Sequence, residues 1–177
     1  VNSIPSRREA IKILRKVGCS SAVVKHSKKV AEVALKLAKK FENRGFDVNM
    51  AVVEIGALLH DIGRSRAHSV LHVSYGVELA KSFRLPDVIL NAIERHIGAG
   101  IPAGEAAKIG LPNKDFMPKT LEEKIIAYAD KLVEGDRVVS WQRAIKNLSK
   151  ELGENHPAIE RMRNLYVEFS SMLGEKL

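Results

Sequence analysis

Apolar residues recur at three- and four-residue intervals along most of the chain, the spacing of one helical face. Over residues 21–43 they are Val23, Val30, Ala34, Leu37, Ala38 and Phe41, which predicts a helix from about Ser21 to Asn43. Before it, Ser6-Arg7-Arg8-Glu9 has the form of a capping box opening a short helix that stops near Gly18. After it, "RGFDVN" reads as a turn, and Asn49 can cap a third helix through Leu59. Later helices are expected over about Val70 to Phe83, Pro86 to Ile97 and Thr120 to Glu134, then Val138 to Leu152 and Pro157 to Leu173. Pro86 suits a first helical turn, and Thr120 to Glu123 reads as a second capping box. "GAGIPAGEAAKIGLPNKDFMP" is the one long irregular stretch, and long loops in compact domains are often functional. The pattern predicts an all-α bundle of about eight helices without strands.

Composition agrees with that class. The 177 residues suit one domain spanning 1–177. Hydrophobic residues make up 45% and aromatics 5%, and the wealth of Ala, Leu, Ile, Lys and Glu favours helices. The single cysteine, Cys19, excludes an intrachain disulfide and a Cys-rich zinc site, and fits a reducing, cytoplasmic setting. No apolar run approaches the ~20 residues of a membrane span, and no signal peptide is visible, so no membrane partner is expected. The first residue is Val, so the natural start lies open, and the sequence says nothing of oligomeric state. A net charge of +8 attracts polyanions such as nucleotides, nucleic acids or acidic membrane surfaces. The few aromatics argue against a base-stacking surface for single strands.

Within this helical pattern, "ALLHDIGRSRAHSVLHVSYG" sets three histidines and an aspartate into an otherwise buried-looking run. Their phases matter more than their number. His26 lies between Val23 and Val30 on the apolar stripe, and His60 follows the stripe of Val53 and Gly56. His72 is in phase with Gly76 and Leu79, His96 with Ile89, Ala92 and Ile93, and Asp130 with Ile126 and Val133. One inward histidine is ordinarily a core residue satisfied by a carbonyl. An inward aspartate is rarer, because an isolated buried carboxylate is costly. Four inward histidines with Asp61 and Asp130 are explained together if they converge on a metal. His60 and Asp61 diverge by about 100° on a helix, so they share an ion only if it lies beside the helix between them. Gly63 would let the backbone turn away just afterwards.

The ordered set His26 in "VVKHSKKVAEVALKLA", His60-Asp61 in "LLHDIG" and Asp130 in "IIAYADKLVEGDR" resembles the HD superfamily of the HDIG type, over about residues 20–137. Residues 138–177 would then be a helical extension. "LHVSYGVELAKSFRLPDVILNAIERHIGAG" is similar to the segment of HD-type diadenosine tetraphosphate hydrolases and HD-GYP phosphodiesterases that carries two further histidines, here His72 and His96. The resemblance implies one ion on His26, His60, Asp61 and Asp130, with Asp61 bridging to a second on His72 and His96. It implies two divalent cations, Fe or Mn first, with Ni, Mg, Zn and Co as further candidates. As a whole the chain is most similar to a little-characterised archaeal HDIG group. Two departures stand out. Arg64 occupies a position where the dinuclear relatives often carry Lys; it can grip phosphate but is a poor proton donor. The full GYP signature is absent. His68, four before His72, is an alternative ligand to it, and a single ion on His26, His60, Asp61 and Asp130, with His72 and His96 contacting phosphate, is the alternative to two.

The leading expectation is a metal-dependent phosphohydrolase acting on a nucleotide or another small phosphoester or phosphoanhydride. Its catalytic residues would be Asp61, Arg64 and Lys131, the two cations serving to bind phosphate. Glu54 or Glu94 would orient imidazoles, while His156 and Trp141 read as surface and packing residues. Two other classes fit the same ligands: a di-iron oxygenase, and a nucleic-acid-binding or regulatory protein with a vestigial site.

Overall fold

The computed structural model describes residues 3–177. Ser6 caps α1 (Arg7–Lys16) in a reciprocal box: its hydroxyl accepts from the Glu9 amide, and the Glu9 carboxylate accepts from the Ser6 amide. Ser20 caps α2 (Ser21–Asn43), and Asn49 caps α3 (Met50–Leu59) through the Val52 amide. Then follow α4 (His72–Ser82), α5 (Asp87–Glu94), α6 (Ala103–Lys108), α7 (Leu121–Lys131), α8 (Trp141–Leu152) and α9 (Pro157–Leu173). Single 3-10 turns occupy Ile62–Ser65 and Ile97–Ala99. The chain is all-α but for a two-stranded hairpin, β1 (Val133–Glu134) and β2 (Arg137–Val138), in which Val133 faces Val138.

At the centre α2 packs on α3 and α7, and α3 also packs on α5. The spacing read from the sequence explains this: Val30, Ala34, Leu37, Ala38 and Phe41 of α2 are all buried, and each large aliphatic or aromatic side chain so buried stabilises by roughly 1.5–3 kcal/mol. The extension joins the same core. Phe169 of α9 meets the ring of Phe41 at 4.9 Å, and Trp141 of α8 lies stacked between Tyr128 and Tyr166, its centroid 5.5 and 4.7 Å from theirs. No helix among the described residues is long and apolar enough to cross a membrane.

Four expectations are corrected. The long irregular stretch contains α6, held by a satellite core of Val73, Ile101, Ala106, Leu111 and Phe116. The hairpin replaces the expected end of one helix and start of the next: α7 stops at Lys131, and α8 begins after its cap, Ser140. α5 ends at Glu94, so His96 follows the helix rather than lying in it. The second capping box is half-formed: the Thr120 hydroxyl accepts from the Glu123 amide, but the Glu123 carboxylate turns to the Lys119 amide and to Arg95.

Candidate metal centre

The six residues singled out as ligands come from five places in the fold. His26 is on α2; His60 and Asp61 end α3; His72 opens α4; His96 begins the 3-10 turn after α5; Asp130 is near the end of α7. His60, Asp61, His72, His96 and Asp130 are buried, and His26 lies at the edge, partly exposed.

What the four imidazoles share is a carbonyl. Nδ1 of His60 lies 2.7 Å from the Ala57 oxygen, that of His72 2.7 Å from Ser69, and that of His96 2.7 Å from Ile93. Each partner is three residues back, where the preceding turn leaves its carbonyl within reach. Nδ1 of His26 lies 2.7 Å from the Gly135 oxygen, in the bend of the hairpin. A carbonyl only accepts, so each Nδ1 donates, and in the neutral ring Nε2 keeps its lone pair.

Those four Nε2 atoms converge on two carboxylates. His26 and His60 lie 3.0 and 3.3 Å from Asp130 Oδ1, and 4.0 and 3.6 Å from Asp61 Oδ2. His72 and His96 lie 3.1 and 3.5 Å from Asp61 Oδ1, and 3.3 Å from each other. Asp61 thus turns one oxygen to each pair of imidazoles. The site is acceptor facing acceptor: His60 Nε2 and Asp61 Oδ1 are buried without a hydrogen-bond partner. Such atoms are costly unless something positive sits among them. Divalent cations fit this donor set, and the trios His26–His60–Asp130 and His60–Asp61–His96 each bring ligand atoms within 4.8 Å of one another.

Burial and the neighbouring charges act unevenly across the cluster. Burial opposes charge on His60, yet Asp61 and Asp130 raise its pKa. Burial, with His60 and His72, pushes His96 down to about 4 against the pull of Asp61. Burial also opposes charge on Asp61, but the three imidazoles around it hold its carboxyl well below the ordinary value. Asp130 is likewise low, held there against burial by Lys131, His26 and His60.

Arg64 and Lys131 stand on the outer side. Arg64 Nε donates to Asp61 Oδ2 at 2.7 Å, and Lys131 Nζ lies 3.0 Å from Asp130 Oδ2. His68 is exposed, with only its carbonyl engaged, by Arg64 at 3.2 Å. Glu54 and Glu94 do not orient imidazoles: Glu54 pairs with Arg7 and Glu94 with Lys114, and the backbone carbonyls take that role. His156 is the cap of α9, its ring accepting from the Ala158 amide at 3.2 Å. Cys19 takes no part: its thiol reaches the Ile62 carbonyl, and burial pushes it up to about 11.

Two supporting features were missed from sequence. The hairpin that aims His26 was signalled by "VEGDRV", with Gly-Asp between two short runs. The other is the pair of partly buried Arg95 with buried Glu123, at 3.0 Å, which ties the segment carrying His96 to the start of α7. A charge pair twenty-eight residues apart leaves no periodic signal.

Two cavities meet at the centre and share Arg64, Asp130, Lys131, Leu148 and Glu151. One, of about 410 Å³, lies on the His26 side beneath the hairpin. The other, of about 470 Å³, lies on the His72 and His96 side, walled by α6 and by the ends of α8 and α9.

Comparison with known proteins agrees with this architecture. The HD domain family matches residues 23–134. An uncharacterised protein of Methanocaldococcus jannaschii is 44% identical over 165 residues, covering 93% of this chain and 97% of that protein. A tRNA (cytidine(56)-2'-O)-methyltransferase of Thermoplasma volcanium is 36% identical over 177 residues; the alignment takes in 100% of this chain but only half of the relative's length. Among solved structures, the HD domain of the L. monocytogenes phosphodiesterase PgpH in complex with cyclic-di-AMP superposes with a TM-score of 0.54 at 17% identity, covering 94% of this chain and 99% of that one. At that identity the likeness speaks for the fold. From the match over residues 23–134 and the near full-length relative, the chain belongs to the HD domain family.

Proposed function

We infer that the chain is a metal-dependent phosphohydrolase acting on a phosphoester or phosphoanhydride of a nucleotide or a related small molecule. The observation that carries this is the facing of acceptors: four Nε2 lone pairs around two carboxylates, with Asp61 offering one oxygen to each pair. His26, His60, Asp61 and Asp130 would hold one divalent cation, and Asp61, His72 and His96 a second. Bound there, such a pair supplies an activated water and neutralises phosphoryl charge. The chain's own residues do the rest. The carbonyls of Ala57, Ser69, Ile93 and Gly135 fix each imidazole in the tautomer that leaves Nε2 free. Arg64 and Lys131 sit where phosphoryl oxygens would arrive. Asp130 raises the Lys131 pKa, so its ammonium binds as a fixed charge, and Arg64 can grip two oxygens at once.

A second reading, in which RNA is the partner, is favoured by the net charge of +8 and by the relative named as a tRNA methyltransferase. The test is elemental analysis of protein purified without chelators, followed by assays on phosphomonoesters, phosphodiesters and RNA with Mn²⁺, Fe²⁺, Ni²⁺ or Mg²⁺ under anaerobic conditions. Metal near two per chain and metal-dependent phosphate release or diester cleavage are expected. RNA binding that persists after metal removal, with no hydrolysis of any substrate, would overturn the enzyme in favour of the binding protein. Oxygen consumption with bound iron would overturn it in favour of an oxygenase.

A further inference from the structure

The larger cavity is built mostly by residues unrelated to the ligand set. Beyond His72 and His96 its walls carry Val70, Ile97 and Ile101, then Ile109 at the end of α6 and Leu152 at the end of α8. Ile109 and Leu152 are 48% and 39% exposed, two of the few large apolar side chains left open to solvent. Arg161 of α9 lines the same space. Its two terminal nitrogens donate to Glu105 of α6 at 2.8 and 2.7 Å, while its Nε is buried without an acceptor. Leu152 and Arg161 lie outside the HD-matched segment, residues 23–134.

We propose that this lobe, between α6, α8 and α9, is a nucleobase subsite that selects nucleoside-bearing phosphoesters for the metal centre. The proposal rests on the phosphohydrolase reading. The lobe opens onto Arg64, Asp130 and Lys131, so a ligand whose phosphate lies at the centre extends naturally into it. Its volume of about 470 Å³ admits a nucleoside, and aliphatic walls suit the faces of a planar heterocycle. Lys108 and His156 in the same wall are what separate a base from a plain apolar arm, because the ring nitrogens and exocyclic groups of a heterocycle can pair with them. The smaller lobe, which carries Glu134 and Asn147 beside Val23, Val133 and Val139, is left for the rest of the substrate.

Calorimetric titration of the Mn²⁺-loaded protein with four product-like ligands tests this: inorganic phosphate, ribose 5-phosphate, butyl phosphate and adenosine 5'-monophosphate. The nucleotide should bind about tenfold or more tighter than ribose 5-phosphate or butyl phosphate, as burial of one heterocycle would give. In Ile109→Gln/Leu152→Gln, two exposed positions where folding is not at stake, that advantage should shrink to about twofold. Inorganic phosphate, which needs only the centre, is titrated into both proteins in parallel. Equal binding of ribose 5-phosphate and the nucleotide by the unaltered protein would overturn the subsite while leaving the metal centre standing. So would equal binding of butyl phosphate, or a base-dependent advantage that survives the double substitution. Failure of the metal-loaded protein to bind phosphate at all would overturn the phosphohydrolase reading and the subsite with it.

Discussion

Asp61 is the residue on which the two halves of the proposed centre depend. Its Oδ1 faces His72 and His96, and its Oδ2 faces His26 and His60. A ligand serving two cations costs both when removed, whereas an imidazole costs one. Asp61→Ala should therefore lose nearly all bound metal and all hydrolysis, and His96→Ala about half the metal with most of the turnover. Plasma emission spectrometry on the dialysed proteins separates the cases; equal metal in Asp61→Ala and the unaltered protein would remove the bridge. The identities of these residues were readable because imidazole and carboxylate are rare on an apolar face, so each stood out against Val, Ile and Ala. Their partners were not. Every residue carries a carbonyl, so no letter of the sequence marks Ala57, Ser69, Ile93 or Gly135 as the atoms that aim the rings, and Glu54 and Glu94 drew attention only because their side chains are ionisable.

Between elements the decisive position is Gly63. It had been expected to let the backbone turn away, but its φ is not in the left-handed region. The requirement is room: a Cβ there would lie 1.8 Å from the His72 carbonyl oxygen and 2.6 Å from the Gly76 amide nitrogen. The turn after Asp61 and the first turn of α4 pass backbone to backbone, which is what brings His72 against Asp61. Gly63→Ala should destabilise by about 3 kcal/mol or more. Gly104 of α6 meets nothing within 4 Å and has no positive φ, so Gly104→Ala should stabilise by roughly 0.5–1 kcal/mol. Urea unfolding of the two variants side by side checks the opposite signs. Element by element, the long helices were legible because many turns repeat the pattern. α6, six residues long, and the hairpin, with two residues in each strand, are too short for a period to emerge. The end of α5 was missed for a related reason: the 3-10 turn keeps His96 nearly in phase with Ile89 and Ile93, so the stripe outlasts the helix.

Across the whole molecule, one apolar cluster runs from Ala10 of α1 to Leu173 of α9, taking in Leu148, Ile159, Met162, Leu165 and Phe169 from beyond the HD-matched segment. We therefore expect residues 138–177 to unfold with the rest rather than as a separate unit, which is the meaning we attach to a single domain. The loss of helical circular dichroism in urea should coincide with any signal from the extension; a transition of the extension at lower urea would divide the chain in two. The protein supplies that signal itself. Trp141 is its sole tryptophan, and it is stacked where the extension meets α7, two rings deep between Tyr128 and Tyr166. Tyr128 lies two residues before Asp130. The emission of one native fluorophore thus reports on the joint between the roof of the cleft and the helix beneath it, with no label attached, and any ligand that shifts α8 against α7 should write itself into that spectrum.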